Sequence, residues 1–174
     1  MSQNTVRNLD FIFGLTHLTG NALLWANGRF SQNVYDEIGG ALFVIANLAM
    51  LLYPGRVKTV YFLGAIGAVG AVFFSIGAFE KEHVLFPLLF GLFTIARCLL
   101  LLQSQQPHEN SRFWNFLRQN RKEVFGGIAI ATRIMLMLSG FFNIELWAML
   151  AAACLLTGDV AMILSGRKSK QTQN

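Results

Sequence analysis

The sequence predicts an all-α integral membrane protein, built as a bundle of six transmembrane helices with both termini in the cytoplasm. Of its 174 residues, 54% are hydrophobic and 13% are charged, whereas a soluble domain has about 25% charged residues. The mean hydropathy is +0.49. Six crossings of about 20 residues each span ~30 Å of hydrocarbon and leave room for short loops. The composition thus excludes a soluble globule and a disordered chain, and two cysteines exclude a disulfide scaffold.

The six predicted spans form a single transmembrane domain that covers residues 1–174. They lie at about 9–26, 38–53, 60–79, 84–102, 124–142 and 145–165. The first span competes with a cleaved signal peptide. His17 and Asn21 interrupt its apolar run, however, and no A-x-A cleavage site follows. We therefore predict that it is a retained helix.

Polar residues line one face of the first predicted span. Asp10, His17 and Asn21 fall within about 60° of one another at the helical spacing of about 100° per residue. Such a stripe predicts a packed inner face or one wall of a water-filled cavity. His17 is then either a hydrogen-bonded core residue or a proton or hydrogen-bond partner of a solute, which its near-neutral pKa suits. We select His17 and Asn21 as candidate solute-binding residues.

Small residues in the predicted span 60–79 indicate that this helix packs closely against a neighbouring helix.

The middle spans contain a single intramembrane charge, Arg97. Arg97 shares its face with Phe86, Phe90 and Phe93, and lies about five residues from the predicted cytoplasmic end. A bulky stripe suits lipid, and a long side chain near a helix end reaches the interface. The pattern predicts that Arg97 is an interface anchor.

The loop at 103–123 contains an amphipathic segment, 111–122, which reads SRFWNFLRQNRK. Aromatic residues on one side of a helix, with basic residues around them, are typical of a helix that lies in the membrane interface. Docking of a cytoplasmic partner is the alternative. The predicted membrane-interface residues are Arg112, Phe113, Trp114, Phe116, Arg118, Arg121 and Lys122.

The last two spans each contain one charge of opposite sign. Arg133 lies near the middle of its span on a face with Gly126 and Ala129, and Asp159 shares its face with Ala152. Small residues let a neighbouring helix approach closely, so both faces point into the bundle. A buried charge needs a partner, and we predict an Arg133–Asp159 ion pair. The pair either holds two helices together or takes part in solute binding.

The basic residues outside the spans are divided unequally between the two sides. Ten lie on the side of the termini, whereas the other side has Arg29 and Lys81. The ten are Arg7, Arg56, Lys58, Arg112, Arg118, Arg121, Lys122, Arg167, Lys168 and Lys170. By the positive-inside rule the termini are cytoplasmic, and the basic pI needs no nucleic-acid partner. Short loops without an N-x-[ST] acceptor favour a bacterial inner (cytoplasmic) membrane.

Motifs of catalysis are absent from the sequence. It has no C-x-x-C, H-E-x-x-H or phosphate loop, and Asp159 is the only buried carboxylate predicted, so we expect no enzyme, cofactor or metal. We predict a transporter- or channel-like protein whose intramembrane site takes an anionic or polar small solute. The alternative is a non-catalytic accessory or assembly subunit of a larger membrane complex. The expected partners are the lipid bilayer, the solute, and a membrane protein or a second copy.

Overall fold

A computed structural model describes residues 3–53, 57–104 and 112–171, which form seven α-helices and one 3₁₀ turn, with no strand among them. The helices are α1 (Gln3–Phe30), α2 (Val34–Leu52), α3 (Val57–Gly77), α4 (Leu85–Gln103), α5 (Arg112–Gln119), α6 (Arg121–Phe142) and α7 (Leu146–Gln171). The 3₁₀ turn, Ala78–Glu80, follows α3. The fold is therefore all-α, as the composition predicts.

Five helices of the described chain are long and apolar enough to cross a membrane, namely α2, α3, α4, α6 and α7. They are typical of an integral membrane protein with several spans. The predicted span 9–26 lies within α1, which is longer than any of the five but more polar. The predicted span 38–53 corresponds to α2, which begins four residues earlier because the Asn33 side chain accepts a hydrogen bond from the Asp36 backbone N–H and caps the helix.

The six long helices form a closed ring, in which each helix packs against two neighbours in the order α1, α2, α3, α4, α6, α7 and back to α1. Glycines allow the closest approaches. Gly40 of α2 lies against the backbone of Trp25 in α1, where an added Cβ would come within 2.5 Å of the Trp25 backbone nitrogen. Gly39 and Gly70 make the corresponding contact between α2 and α3. Small residues thus set the short helix separations of the ring.

One half of the ring interior is filled by apolar side chains. Phe74 stacks on Phe43 at a centroid distance of 5.5 Å and meets the edge of Phe90 at 5.3 Å. Leu24 and Leu155 complete this buried group from α1 and α7. We call these five residues the aromatic plug. It closes the ring in the half that contains the α1–α2 and α3–α4 connections.

An ion-pair cluster closes the same end of the ring, which we call the Lys81 end. The Lys81 ammonium lies 2.7 Å from Asp36 Oδ2 and 2.7 Å from Glu145 Oε1. Burial by itself would lower the pKa of Lys81, but the two carboxylates raise it above its usual value. Lys81, in the connection after α3, is therefore joined to the first turn of α2 and to the connection before α7.

The opposite end of the ring, which we call the Lys122 end, contains a second polar cluster. Lys122 Nζ donates to Asp10 Oδ1 at 2.8 Å and to Ser165 Oγ at 2.8 Å, and Ser165 donates to Asp10 at 2.6 Å. These contacts join α6, α1 and α7. Both ends of the ring are thus tied by side-chain hydrogen bonds.

Candidate functional site

Three charged or polar side chains converge on Asp159, a residue of α7 with no exposed surface. Arg133 Nε of α6 donates to Asp159 Oδ2 at 3.2 Å. His17 Nε2 of α1 lies 3.1 Å from Asp159 Oδ1, and Arg97 Nη2 of α4 lies 3.8 Å from the same oxygen. We call these four residues the Asp159 cluster. It brings together charges from four different helices inside the ring.

Gly158 determines how closely His17 approaches α7. A Cβ at Gly158 would lie 2.5 Å from His17 Nδ1, so no larger residue fits there without displacing the imidazole. The ring is also held from its own helix, because His17 Nδ1 lies 3.0 Å from the Phe13 carbonyl oxygen and the Phe13 ring lies 4.2 Å away. The imidazole is therefore fixed on both sides, with Nε2 directed at Asp159.

The structure brings three of the four selected solute-binding residues into direct contact, namely His17, Arg133 and Asp159. Asn21, the fourth, is buried one turn after His17 and faces the same interior space. The expectation for Arg97 is wrong. Its side chain is 19% exposed and points toward Asp159 instead of toward lipid, because the face it shares with the buried Phe90 turns into the ring.

A cavity of about 310 Å³ occupies the other half of the ring, between the aromatic plug and the Lys122 end. Its residues come mainly from the parts of the six helices on that side, and His17, Asn21 and Arg133 lie just beyond the midpoints of α1 and α6. The cavity reaches the Lys122 end, because the side chain of Lys122, which is 39% exposed, is among its lining residues. The polar and charged residues that line it are His17, Asn21, Asn47, Thr59, Thr94, Arg97, Arg121, Lys122 and Arg133.

The lining of the cavity is positively charged. Arg97, Arg121, Lys122 and Arg133 contribute to it, and no carboxylate is among its described lining residues. Within the described chain, Arg133 donates only through Nε, which leaves both terminal nitrogens of its guanidinium unused. Among the described residues, Arg97 has no hydrogen-bond partner, and its Nη2 lies 3.8 Å from Asp159. The guanidinium groups of Arg97 and Arg133 therefore present unused N–H donors to the cavity.

Apolar side chains form the remainder of the cavity wall. Phe13, Met50, Leu63, Phe125 and Met162 are among them. Aromatic residues and methionines give a wall that adapts to an apolar body. The cavity is thus polar at the Asp159 cluster and apolar around it.

The predicted membrane-interface residues are divided between two helices. The amphipathic helix α5 ends at Gln119, and Arg121 begins α6 because the Asn120 backbone departs from helical geometry. Phe113 and Phe116 are more than half exposed, Arg112 is exposed and Trp114 is half-buried. The side chain of Arg118 lies outside the described residues. The assignment of Arg121 and Lys122 to this helix is wrong, because both belong to α6. Both also line the cavity.

Sequence reasoning missed the connections that Lys81 makes with Asp36 and Glu145. The sequence separations of the three residues give no sign that they meet. It also missed Asn47 and Thr94 in the cavity wall. In the described part of the chain, no group of three or more histidine, cysteine or acidic side chains has the arrangement of a metal site.

Comparison with known proteins finds no relative. No family model matches the chain, and no curated protein or solved structure matches it either.

Proposed function

We propose that the chain crosses the membrane six times, with the Lys122 end and both termini in the cytoplasm. The sixth crossing is α1, which completes the ring between α7 and α2. Its polar residues His17, Asn21 and Asn27 are buried, whereas Phe11 and Leu15 are exposed. A helix with its polar face inward and its apolar face outward suits hydrocarbon. The excess of basic residues at the Lys122 end supports the orientation.

We further propose that the protein is a carrier of small organic anions, with the central cavity as its binding site. The observation that carries this proposal is the pair of guanidinium groups, Arg97 and Arg133, which share one carboxylate and keep unused donors toward the cavity. With His17 neutral, the Asp159 cluster has one excess positive charge. A buried charge without a counter-charge is costly. An anion in the cavity supplies that counter-charge, and bidentate binding by arginine suits a carboxylate or phosphate group.

The distribution of apolar and polar surface favours an anion with an apolar body. The volume of about 310 Å³ lies at the lower end of the range for small-molecule sites. An aromatic or short alkyl group would contact Phe13, Leu63 and Phe125 while its anionic group faces Arg97 and Arg133.

A carrier explains the filled half of the ring better than a channel does. The cavity is continuous with the Lys122 end, whereas the aromatic plug and the Lys81 cluster close the opposite end. This asymmetry matches one state of an alternating-access cycle, in which the site opens to one side at a time. We propose a cytoplasm-facing state of a carrier in a cytoplasmic membrane.

Benzoate is a suitable probe, because it has a carboxylate and an apolar ring. We expect benzoate to raise the melting temperature of the detergent-purified protein at constant ionic strength, while the neutral analogue benzamide does not. Arg97→Gln should weaken benzoate binding by about tenfold or more, since it removes a charge-assisted hydrogen bond. Arg29→Gln is the control, because Arg29 is 74% exposed at the other end of the ring. Equal effects of benzoate and benzamide would refute an anion site.

Flux is tested in proteoliposomes loaded with labelled benzoate. We expect saturable efflux that Arg97→Gln slows and Arg29→Gln leaves unchanged. Absence of both binding and flux, together with co-purification of a fixed partner from native membranes, would instead favour the accessory-subunit alternative.

A further inference from the structure

We infer that the Asp159 cluster binds one exchangeable proton, shared between His17 Nε2 and Asp159 Oδ1, and that this proton is taken up together with the anion. The proton site rests on the contacts of His17 alone. Its coupling to an anion rests on the proposed carrier function.

The first contact determines the protonation of His17 Nδ1. This nitrogen lies 3.0 Å from the carbonyl oxygen of Phe13. A carbonyl oxygen only accepts hydrogen bonds, so Nδ1 donates and has a hydrogen. In a neutral imidazole the other nitrogen, Nε2, is then an acceptor.

The second contact provides a place for another proton. His17 Nε2 lies 3.1 Å from Asp159 Oδ1, and both atoms are buried without a hydrogen-bond partner in the described chain. Two lone pairs that face each other in a buried contact repel, whereas a proton between them makes a charge-assisted hydrogen bond. The proton is on the imidazole or on the carboxyl. Either form has one proton more than a neutral histidine beside an ionised aspartate.

The charged groups around His17 come from each helix that faces it. Asp159 extends from α7, Arg133 from α6 and Arg97 from α4. Among the described lining residues, Asn47 is the polar side chain of α2, and α4 also contributes the thiol of Cys98. Asp10 on α1 is paired with Lys122 at the Lys122 end. Because two arginines share one carboxylate, the net positive charge of the cluster opposes binding of a further proton by His17 or Asp159. An anion beside them reverses that effect, so binding of the anion and binding of the proton favour each other.

The charges balance over one loading step. Uptake of one monoanion and one proton leaves the total charge of the Asp159 cluster as it was in the empty state. His17 lines the cavity, so the proton reaches it from the Lys122 end through the same opening as the anion. The loaded carrier would therefore move an electroneutral pair across the membrane.

Calorimetric titration of the purified protein with benzoate tests the coupling. The binding enthalpies in two buffers of different ionisation enthalpy give the number of protons taken up, and we expect about one proton per benzoate. The affinity for benzoate should fall by up to tenfold per pH unit between roughly pH 6 and 8.5. His17→Gln keeps a side-chain amide that donates to Asp159. It should bind benzoate without proton uptake and without pH dependence. His83→Gln, outside the cavity, should behave as wild type.

The outcomes separate the two proposals. Benzoate binding with no proton uptake and no pH dependence would overturn the coupling and leave the anion site intact. If benzoate does not bind, nitrogen and carboxyl-carbon NMR of labelled protein still tests the proton site without ligand. A doubly protonated His17, or a protonated Asp159 beside a singly protonated His17, supports it. A His17 that stays singly protonated beside an ionised Asp159 as the pH is lowered from roughly 8.5 to 5 overturns it.

Discussion

Replacing Asp159 by leucine tests whether this carboxylate balances the buried guanidinium groups. The substitution leaves Arg133 and Arg97 without a counter-ion, and breaking a buried ion pair costs about 3–5 kcal/mol. Arg133→Leu should cost less, about 1.5–3 kcal/mol, because Asp159 keeps its contacts to His17 and Arg97. In the double variant only Arg97 stays unbalanced, and it faces the cavity, where water reaches it. We expect the double variant to recover about 2 kcal/mol or more of the summed losses.

The measurement is the free energy of unfolding, from SDS titrations in mixed micelles followed by tryptophan fluorescence. Arg29 and Glu37 provide the matched control pair, because their charged atoms lie 3.6 Å apart but Arg29 is 74% exposed. The same cycle of leucine variants at these positions should give a coupling below about 1 kcal/mol.

Two results would refute this reasoning. Additive losses within about 0.5 kcal/mol would show that Arg133 and Asp159 do not interact energetically. A coupling no larger than that of the exposed control pair would show that burial does not strengthen the interaction. In either case the charge balance on which the anion site rests would fail.

Three further predictions concern the two ends of the ring and α5. Lys81→Met leaves two buried carboxylates without their cation, so unfolding by SDS should become easier by about 3–5 kcal/mol. Because the pKa of Lys81 is raised in the folded protein, its stabilising effect is complete below pH 10.5 and is lost as the pH rises through the raised value. The difference in the free energy of unfolding between wild type and this variant should therefore narrow above pH 10.5. Single cysteines at Arg7 and Ser31 should react from the cytoplasmic side and from the opposite side respectively; labelling of both from one side would contradict a membrane-spanning α1. Replacing the exposed Phe113 and Phe116 by serine should raise the mobility of a spin label on α5 in liposomes, whereas an unchanged spectrum would show that protein contacts hold this helix.

The sequence predicts the long helices well but not all of their ends. The predicted spans coincide with the central parts of six helices, because about 20 apolar residues between polar connections are a strong local signal. The start of α2 differs by four residues. Asp36 and Glu37 look like loop residues by composition, whereas Asn33 caps the helix before them and Lys81 neutralises Asp36 from another connection.

The candidate site was accessible to sequence reasoning where polarity marks the inner face of a helix. Arg133, Asp159 and His17 were selected because a charge or an imidazole in hydrocarbon requires a partner, and the structure places the three together. Arg97 was assigned to the wrong face. Its neighbours on the helix are phenylalanines, and an apolar stripe does not distinguish lipid from the interior of a bundle.

The sequence by itself determined that the chain is apolar and helical, where its long helices lie, and which charged residues need burial with a partner. Only the tertiary structure decided that six helices close into a ring, that the aromatic plug fills one half, and that Arg97 joins Arg133 at the cavity. The reason is physical. Lipid tails are as apolar as leucine, so no hydrophobic force selects which apolar face of a helix turns inward. That choice depends on how glycines such as Gly40 and Gly158 fit their neighbours, and such a fit exists only between helices already packed together.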